Sequence, residues 1–349
     1  MSELTTKSVL HSRMSEFTKW IAPDPDKMDD IYDRGDEIRK NIKQKAEDDK
    51  LVVQSTPIGG SSGKGTGIRR HYRGKSEVDG MDVDIPVVVE PITTTGDQLE
   101  ELLVKFEGYA RSSYPNTDID KTKSSVKLKF ADKVTFDLVP MLATEKDDEQ
   151  ILIRRNGDRL RTSVQKHNEF IKSRTKISKG TPGVVSFNNG IRLMKWWKEF
   201  QADSSYYLGY NKMADINNIP PTILIDLLCA YAFDKLGVEK TYAETLAKWC
   251  SYLSHIVRNK KAVHFADYYS NPILDTDALW IVLDPVNNEN NIVASWNDNK
   301  INELANWFET ARDNWQRIIH YDEDGSDTLA LSELVKLFGN PFKNHCDND

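Results

Sequence analysis

The 349-residue sequence predicts an α+β chain of two lobes, a small mixed-sheet lobe with helices followed by a helical lobe. Three observations predict it. Short β-type runs are confined to about residues 51–142, one helical stretch interrupts them, and beyond about residue 150 the apolar spacing becomes helical. The length suits two lobes sharing one chain better than a string of independent units.

The elements follow in order. Pro23 and Pro25 break a short N-terminal helix from a longer one over Asp29–Lys50, where Ile31, Ile38 and Ile42 are apolar among many charges. Residues 1–50 are expected to brace the two lobes. Residues 51–150 form the sheet lobe, with strands in LVVQST (51–56), MDVDIPVVV (81–89), SSVKLKF (124–130) and VTFDLVPML (134–142). Only Ala131-Asp132-Lys133 separates the last two, which predicts a hairpin. Between them and the earlier strands, residues 96–114 place Leu99, Leu102, Leu103 and Phe106 on one helix face. Residues 151–345 form the helical lobe, with helices in 188–201, 220–237, 240–257, 297–319 and 330–339; Pro220 and Pro221 mark one helix start.

Composition narrows the function classes. Against 47 Lys and Arg stand 54 Asp and Glu, a net charge of −7, which argues against a protein that coats nucleic acid through its global charge. A mean hydropathy of −0.58 and an N-terminus without an apolar h-region predict a cytoplasmic chain with no membrane association. Three widely spaced cysteines, Cys229, Cys250 and Cys346, build neither a disulfide framework nor a CxxC zinc site.

The chemistry-bearing residues lie in the first lobe. In Gly59-Gly60-Ser61-Ser62-Gly63-Lys64-Gly65-Thr66, glycines permit a tight turn and close backbone approach, while Ser61, Lys64 and Thr66 supply donors for a phosphate. A P-loop fails at both ends, because Ile58 stands where its first glycine belongs and Gly65 follows the lysine. Downstream, the strand period of two sets Asp82 and Asp84 on one face, and Thr135, Asp137 and Val139 on one face of the later strand. Three hard oxygen ligands beside a phosphate-cradling turn suit two Mg²⁺ ions, with Mn²⁺ as a substitute, bridging a nucleoside triphosphate and an acceptor hydroxyl. The predicted chemistry is in-line attack on the α-phosphorus with pyrophosphate leaving. Asp82, Asp84 and Asp137 are thus the expected catalytic and metal-binding residues; Gly60, Ser61, Lys64 and Thr66 are expected to bind nucleotide.

The string GGSSGKGT, followed by DVD and then TFDLVP, resembles the nucleotidyltransferase superfamily branch that holds the oligoadenylate synthetases and the cyclic GMP-AMP synthase-like enzymes of animals and bacteria. Ile191–Lys198 (IRLMKWWK), Pro221–Leu228 and Leu283-Asp284-Pro285 with Asn287 and Asn291 extend the likeness into the helical lobe. The resemblance implies the two-lobe nucleotidyltransferase fold, and puts Ser61 on the donor β- and γ-phosphates. It implies that Lys195 reaches the same triphosphate, against the alternative of a solvated helix lysine. It also implies that Tyr206 and Tyr207 stack on the donor base, against the alternative of core aromatics. Asp226, Asp284 and the two asparagines are expected to be structural.

Within that resemblance, compact size, the lack of a zinc insertion and negative charge fit the bacterial CD-NTases better than the animal sensors, which implies synthesis of a cyclic di- or trinucleotide second messenger in anti-phage signalling. The partners implied are nucleoside triphosphates, ATP among them, and a downstream effector protein that responds to the product. A linear oligoadenylate synthetase under double-stranded RNA control, and a non-catalytic nucleotide- or RNA-binding relative, are the alternatives. Residues 153–179 carry nine Lys and Arg against Asp158 and Glu169, as either a solvated face or a docking surface for a nucleic-acid activator. The acids of residues 322–333 imitate a calcium loop, but Asp327 stands where glycine is required.

Overall fold

The computed structural model describes residues 9–69, 71–73, 76–78, 81–91, 98–153, 158–179, 185–207, 219–272 and 277–346; for 71–73, 76–78, 203–207 and 346 it describes the backbone alone. The elements are α1 (Val9–Ile21), α2 (Pro25–Asp48), β1 (Val53–Ser55), α3 (Gly60–Lys64), β2 (His71–Arg73), β3 (Ser76–Val78), β4 (Asp82–Val89), α4 (Gln98–Ser113), β5 (Asp118–Lys121) and β6 (Val126–Lys129). There follow β7 (Thr135–Ala143), β8 (Gln150–Ile153), β9 (Arg159–Thr162), α5 (Val164–Lys179), α6 (Phe187–Tyr207), α7 (Thr222–Leu236), α8 (Tyr242–Arg258), β10 (Leu283–Asp284), β11 (Asn287–Asn291), α9 (Asp298–Glu323), α10 (Asp327–Phe338) and α11 (Asn340–Cys346). By contact the chain divides into two units: Pro23–His71 with Asp79–Phe170, and Met1–Ala22 with Tyr72–Val78 and Ile171–Asp349.

The first unit is built on a sheet of strand order β1-β4-β7-β6-β5. The predicted hairpin is β6–β7, and β4 runs parallel to β7 while the other pairings are antiparallel, so the sheet is mixed. Sequence texture changes near residue 150, yet the sheet continues past it, because β8 pairs with Met141–Ala143 and β9 pairs with β8. β8 has only four residues, and β9 and β5 are both short and charged, so their apolar alternation is too weak to announce them.

One face of the sheet is the core. Val83, Ile85, Val87, Phe136, Leu138, Val126 and Leu128 are buried there against Ile31, Ile38 and Ile42 of α2 and Leu99, Leu102, Leu103 and Phe106 of α4. Both helices show the predicted apolar stripe. Pro25 opens α2, and the Asp24 side chain accepts from the Asp26 amide as its N-cap. On the opposite face, Val88, Met141 and Ala143 pack with Val164 at the C-terminal end of β4, which leaves Asp82 and Asp84 at its N-terminal end.

The second unit is helical. Phe17 of α1 lies among Trp20, Trp196, Phe338 and Phe342, ring centroids 4.8–5.7 Å apart, and the Trp196 indole donates to the Phe338 carbonyl at 3.0 Å. A capping box starts α8: the Thr241 hydroxyl accepts from the Glu244 amide while the Glu244 carboxylate accepts from the Thr241 amide. The acidic turn near residue 322 is the corner between α9 and α10, with Gly325 at φ 69° and Glu333 paired to Arg317 and Lys336. Among the described residues no helix is long and apolar enough to cross a membrane.

Candidate active site

The site begins with the segment after β1. Residues 60–64, read from sequence as a tight phosphate-cradling turn, form a single helical turn, α3, between Gly59 as N-cap and Gly65 as a left-handed C-cap at φ 69°. The Gly63 amide donates to the Gly59 carbonyl at 2.9 Å and the Thr66 amide to the Ser61 carbonyl at 3.0 Å. Glycine is required at the base because α3 lies directly on β4. A Cβ on Gly59 would come within 2.8 Å of Pro86 Cγ, and one on Gly60 within 1.6 Å of an Asp84 carboxylate oxygen. Gly60 also has φ 58°, where side-chain-bearing residues are strained.

The three predicted carboxylates converge on the polar face of the sheet. In the parallel β4–β7 ladder Asp84 stands opposite Asp137, and Asp82 opposite Thr135. The Thr135 hydroxyl donates to Asp82 at 2.5 Å. Asp137 is buried at 7% exposure and accepts from the Ser125 hydroxyl at 3.5 Å. Burial first, and then the charges of Asp137 and Asp82, push the Asp84 carboxyl up to about 7. Burial and the charge of Asp82 push Asp137 up to about 6, against the pull of Lys127. Crowded acids with raised proton affinity are a group short of positive charge.

Part of that charge comes from a residue the sequence reading did not single out. Lys127 of β6 stands opposite Asp137 in the antiparallel ladder, and its Nζ lies 2.8 Å from Asp82 and 3.4 Å from Asp137. The signal was in the hairpin register, which puts Lys127 on the face of Asp137. Lys64 adds a second positive charge acting on Asp84. Asn168 of α5, also unanticipated, donates from its amide to the Ile58 carbonyl at 2.8 Å and leaves no room for a side chain on Gly63. It thereby holds the start of the α3 turn.

The other predicted residues are placed as follows. Ser61 and Lys64 are half-buried on α3, whereas Thr66 is fully buried and belongs to the scaffold of the turn. Lys195 is not a solvated helix lysine: it is 2% exposed, and its Nζ lies 2.9 Å from Asp226 within the helical unit. Tyr206 and Tyr207 end α6, and their side chains lie outside what is described. Asp284, Asn287 and Asn291 serve the β10–β11 hairpin. Asp284 accepts from the Val286 amide and from Asn290, Asn287 accepts from the Glu289 amide, and Asn291 accepts from the Val282 amide.

In the basic segment, Arg159, Arg161, Lys166 and Arg174 pair with Glu100, Glu149, Asp148, and Asp234 with Asp267. A further basic stretch of the sequence, Arg69–Arg73 with Lys75, lies largely outside the described side chains.

Among the described residues, no group of three or more His, Cys, Asp and Glu side chains is gathered as a ready metal cage. The donor chemistry nonetheless fits hard divalent cations: Asp82, Asp84 and Asp137 offer only oxygen, carry like charges, and repel one another.

The chain is similar to known proteins in sequence and in structure. Residues 9–174 match the Second Messenger Oligonucleotide or Dinucleotide Synthetase domain. The chain is 23% identical over 350 residues to the cyclic AMP-AMP-AMP synthase of Escherichia coli (strain MS 115-1), covering 97% of this chain and 100% of that protein. The structure of E. coli MS115-1 CdnC with ATP superposes with a TM-score of 0.75 at 22% identity, over 95% of this chain and 98% of that one. That of the Bradyrhizobium diazoefficiens CD-NTase CdnG in complex with GTP gives 0.71 at 14% identity, over 97% of both chains. Just under half of the chain, residues 9–174, thus matches the synthetase domain, and over nearly its whole length the chain has the fold of the solved CD-NTases.

Proposed function

We propose that this chain joins nucleoside triphosphates, ATP among them, into a cyclic di- or trinucleotide, with Asp82, Asp84 and Asp137 as the catalytic acids. The observation that carries this reading is the packing of Asp84 against Gly60, which seats a glycine-rich turn directly on a cluster of three carboxylates. Ser61 at the start of that turn is the proposed holder of the donor β- and γ-phosphates, with Lys64 beside it. Asp82 and Asp84 would hold both divalent ions and Asp137 the ion nearer the acceptor. Bound there, the ions would neutralise the triphosphate and make the attacking ribose hydroxyl more acidic.

The protein's own contribution is positioning. The parallel ladder sets Asp84 opposite Asp137, Thr135 orients the Asp82 carboxylate, and Asn168 holds the turn on which Ser61 sits. Each linkage forms one phosphodiester P–O bond, breaks the α–β phosphoanhydride, and releases pyrophosphate and one proton. A contact of Lys195 with the triphosphate would require its ammonium to leave Asp226.

The kinship with a cyclic AMP-AMP-AMP synthase makes the ring of three adenylates the first product to look for. We place the product in anti-phage signalling through a separate effector, by family likeness. The test is incubation with all four triphosphates and Mg²⁺, followed by phosphatase treatment and mass spectrometry. A phosphatase-resistant cyclic product is expected; a ladder of linear oligoadenylates would refute ring closure, and no pyrophosphate release would refute catalysis.

A further inference from the structure

The acid cluster contains its own cation. Lys127 extends from β6 past its register neighbour Asp137 to Asp82, two strands away, and its Nζ lies between carboxylate oxygens of β4 and β7. Its side chain is 19% exposed, so the pairing is partly shielded from water. A different arrangement was open to it. On β5 the register partner of Lys127 is Asp120, yet Asp120 and Asp118 both pair with the neighbouring Lys129. The face thus divides its two lysines, Lys129 to the outer acids and Lys127 to the inner ones.

A divalent ion shared by Asp82 and Asp137 needs the oxygens that face the Lys127 ammonium. We infer, on the reading of these acids as the metal site, that Lys127 is a displaceable counter-ion that competes with free divalent metal and yields when metal arrives with a triphosphate. In nucleotide-free protein it offsets part of the charge of Asp82 and Asp137 and lessens the repulsion between the two crowded carboxylates. A free ion must displace it without offering the ammonium a new partner. A metal–triphosphate complex brings phosphate oxygens that accept the displaced ammonium, so Lys127 makes metal binding depend on nucleotide.

The test is Mn²⁺ binding followed by electron paramagnetic resonance, with and without a non-hydrolysable ATP analogue. Lys127→Met is expected to bind free Mn²⁺ at least about tenfold more tightly than wild type, as removal of a cation within contact distance requires. With the analogue present, that advantage should vanish or reverse. In EDTA the same variant should melt several degrees lower than wild type and recover on adding Mn²⁺. Lys127→Arg, which keeps the charge, should bind free Mn²⁺ as weakly as wild type. Lys129→Met, which removes a charge paired with Asp118 and Asp120, should leave Mn²⁺ affinity unchanged.

Equal affinity for free Mn²⁺ in Lys127→Met and wild type would overturn the inference, and so would an equal gain in Lys129→Met. Absence of Mn²⁺ binding by every protein even with the analogue would instead overturn the metal-site reading on which the inference rests.

Discussion

Replacing Gly60 with alanine should uncouple activity from folding, and Gly65→Ala measures by how much. Both glycines occupy the left-handed region, at φ 58° and 69°, on either side of the same short helix. A Cβ on Gly65 meets nothing within 4 Å, so that substitution carries the backbone penalty alone, about 1–2 kcal/mol. A Cβ on Gly60 would lie 1.6 Å from an Asp84 carboxylate oxygen, 2.7 Å from its Cγ and 3.2 Å from its Cβ. Turning the carboxylate about its last bond relieves the first contact but not the second. Either Asp84 changes its χ1 rotamer or α3 lifts from β4 by about 1 Å, adding roughly 0.5–1.5 kcal/mol of strain. At about 2–4 °C per kcal/mol, Gly65→Ala should lower the melting temperature by a few degrees and Gly60→Ala by up to roughly twice that.

Activity should separate them far more. A displacement of about 1 Å in a catalytic group costs about a hundredfold in rate, so Gly60→Ala should lose at least that in pyrophosphate release from ATP and Mg²⁺. Gly65→Ala should stay within a few-fold of wild type. If the two variants lose activity equally, or Gly60→Ala keeps wild-type turnover, the packing of Asp84 against Gly60 does not position the carboxylate.

Three further outcomes follow from the same geometry. Asp137→Asn should reduce pyrophosphate release at least about a hundredfold, yet raise the melting temperature in EDTA, since it removes a buried charge repelled by Asp82; an unchanged rate would refute its catalytic role. Lys195→Met and Asp226→Asn should each lose about 3–5 kcal/mol in urea denaturation, because each strands a buried charge; the pair is 3% exposed on both sides. The double variant Lys195→Met/Asp226→Leu should recover most of that, and additive losses would refute the pairing. Thr241→Ala should cost about 1 kcal/mol by removing the α8 capping box, read as a lower urea midpoint at constant slope.

The site was legible where local chemistry decides it. Asp82 and Asp84 share a face in any strand, Asp137 is an isolated charge in an apolar one, and neither fact depends on a partner. The core of α2, β4, α4, β6 and β7 was legible for the same reason, as each carries a strong apolar period. What escaped was short or ambiguous. Five residues rich in glycine and serine do not distinguish a turn from a helical turn, and β5, β8 and β9 have four residues each. Lys195 looked like a solvated helix lysine or a phosphate ligand, because no sequence period places Asp226, thirty-one residues later, against it.

The sequence by itself determined which strand faces carry Asp82, Asp84 and Asp137, because the alternation of a strand is a property of the backbone. Only the tertiary structure decided that Asp84 stands opposite Asp137, that Gly60 supports Asp84, and that Lys127 rather than solvent meets Asp82. Register and pairing are set by the sum of distant contacts in the buried face, here α2 and α4 against the sheet, and no local stretch of the chain contains that sum.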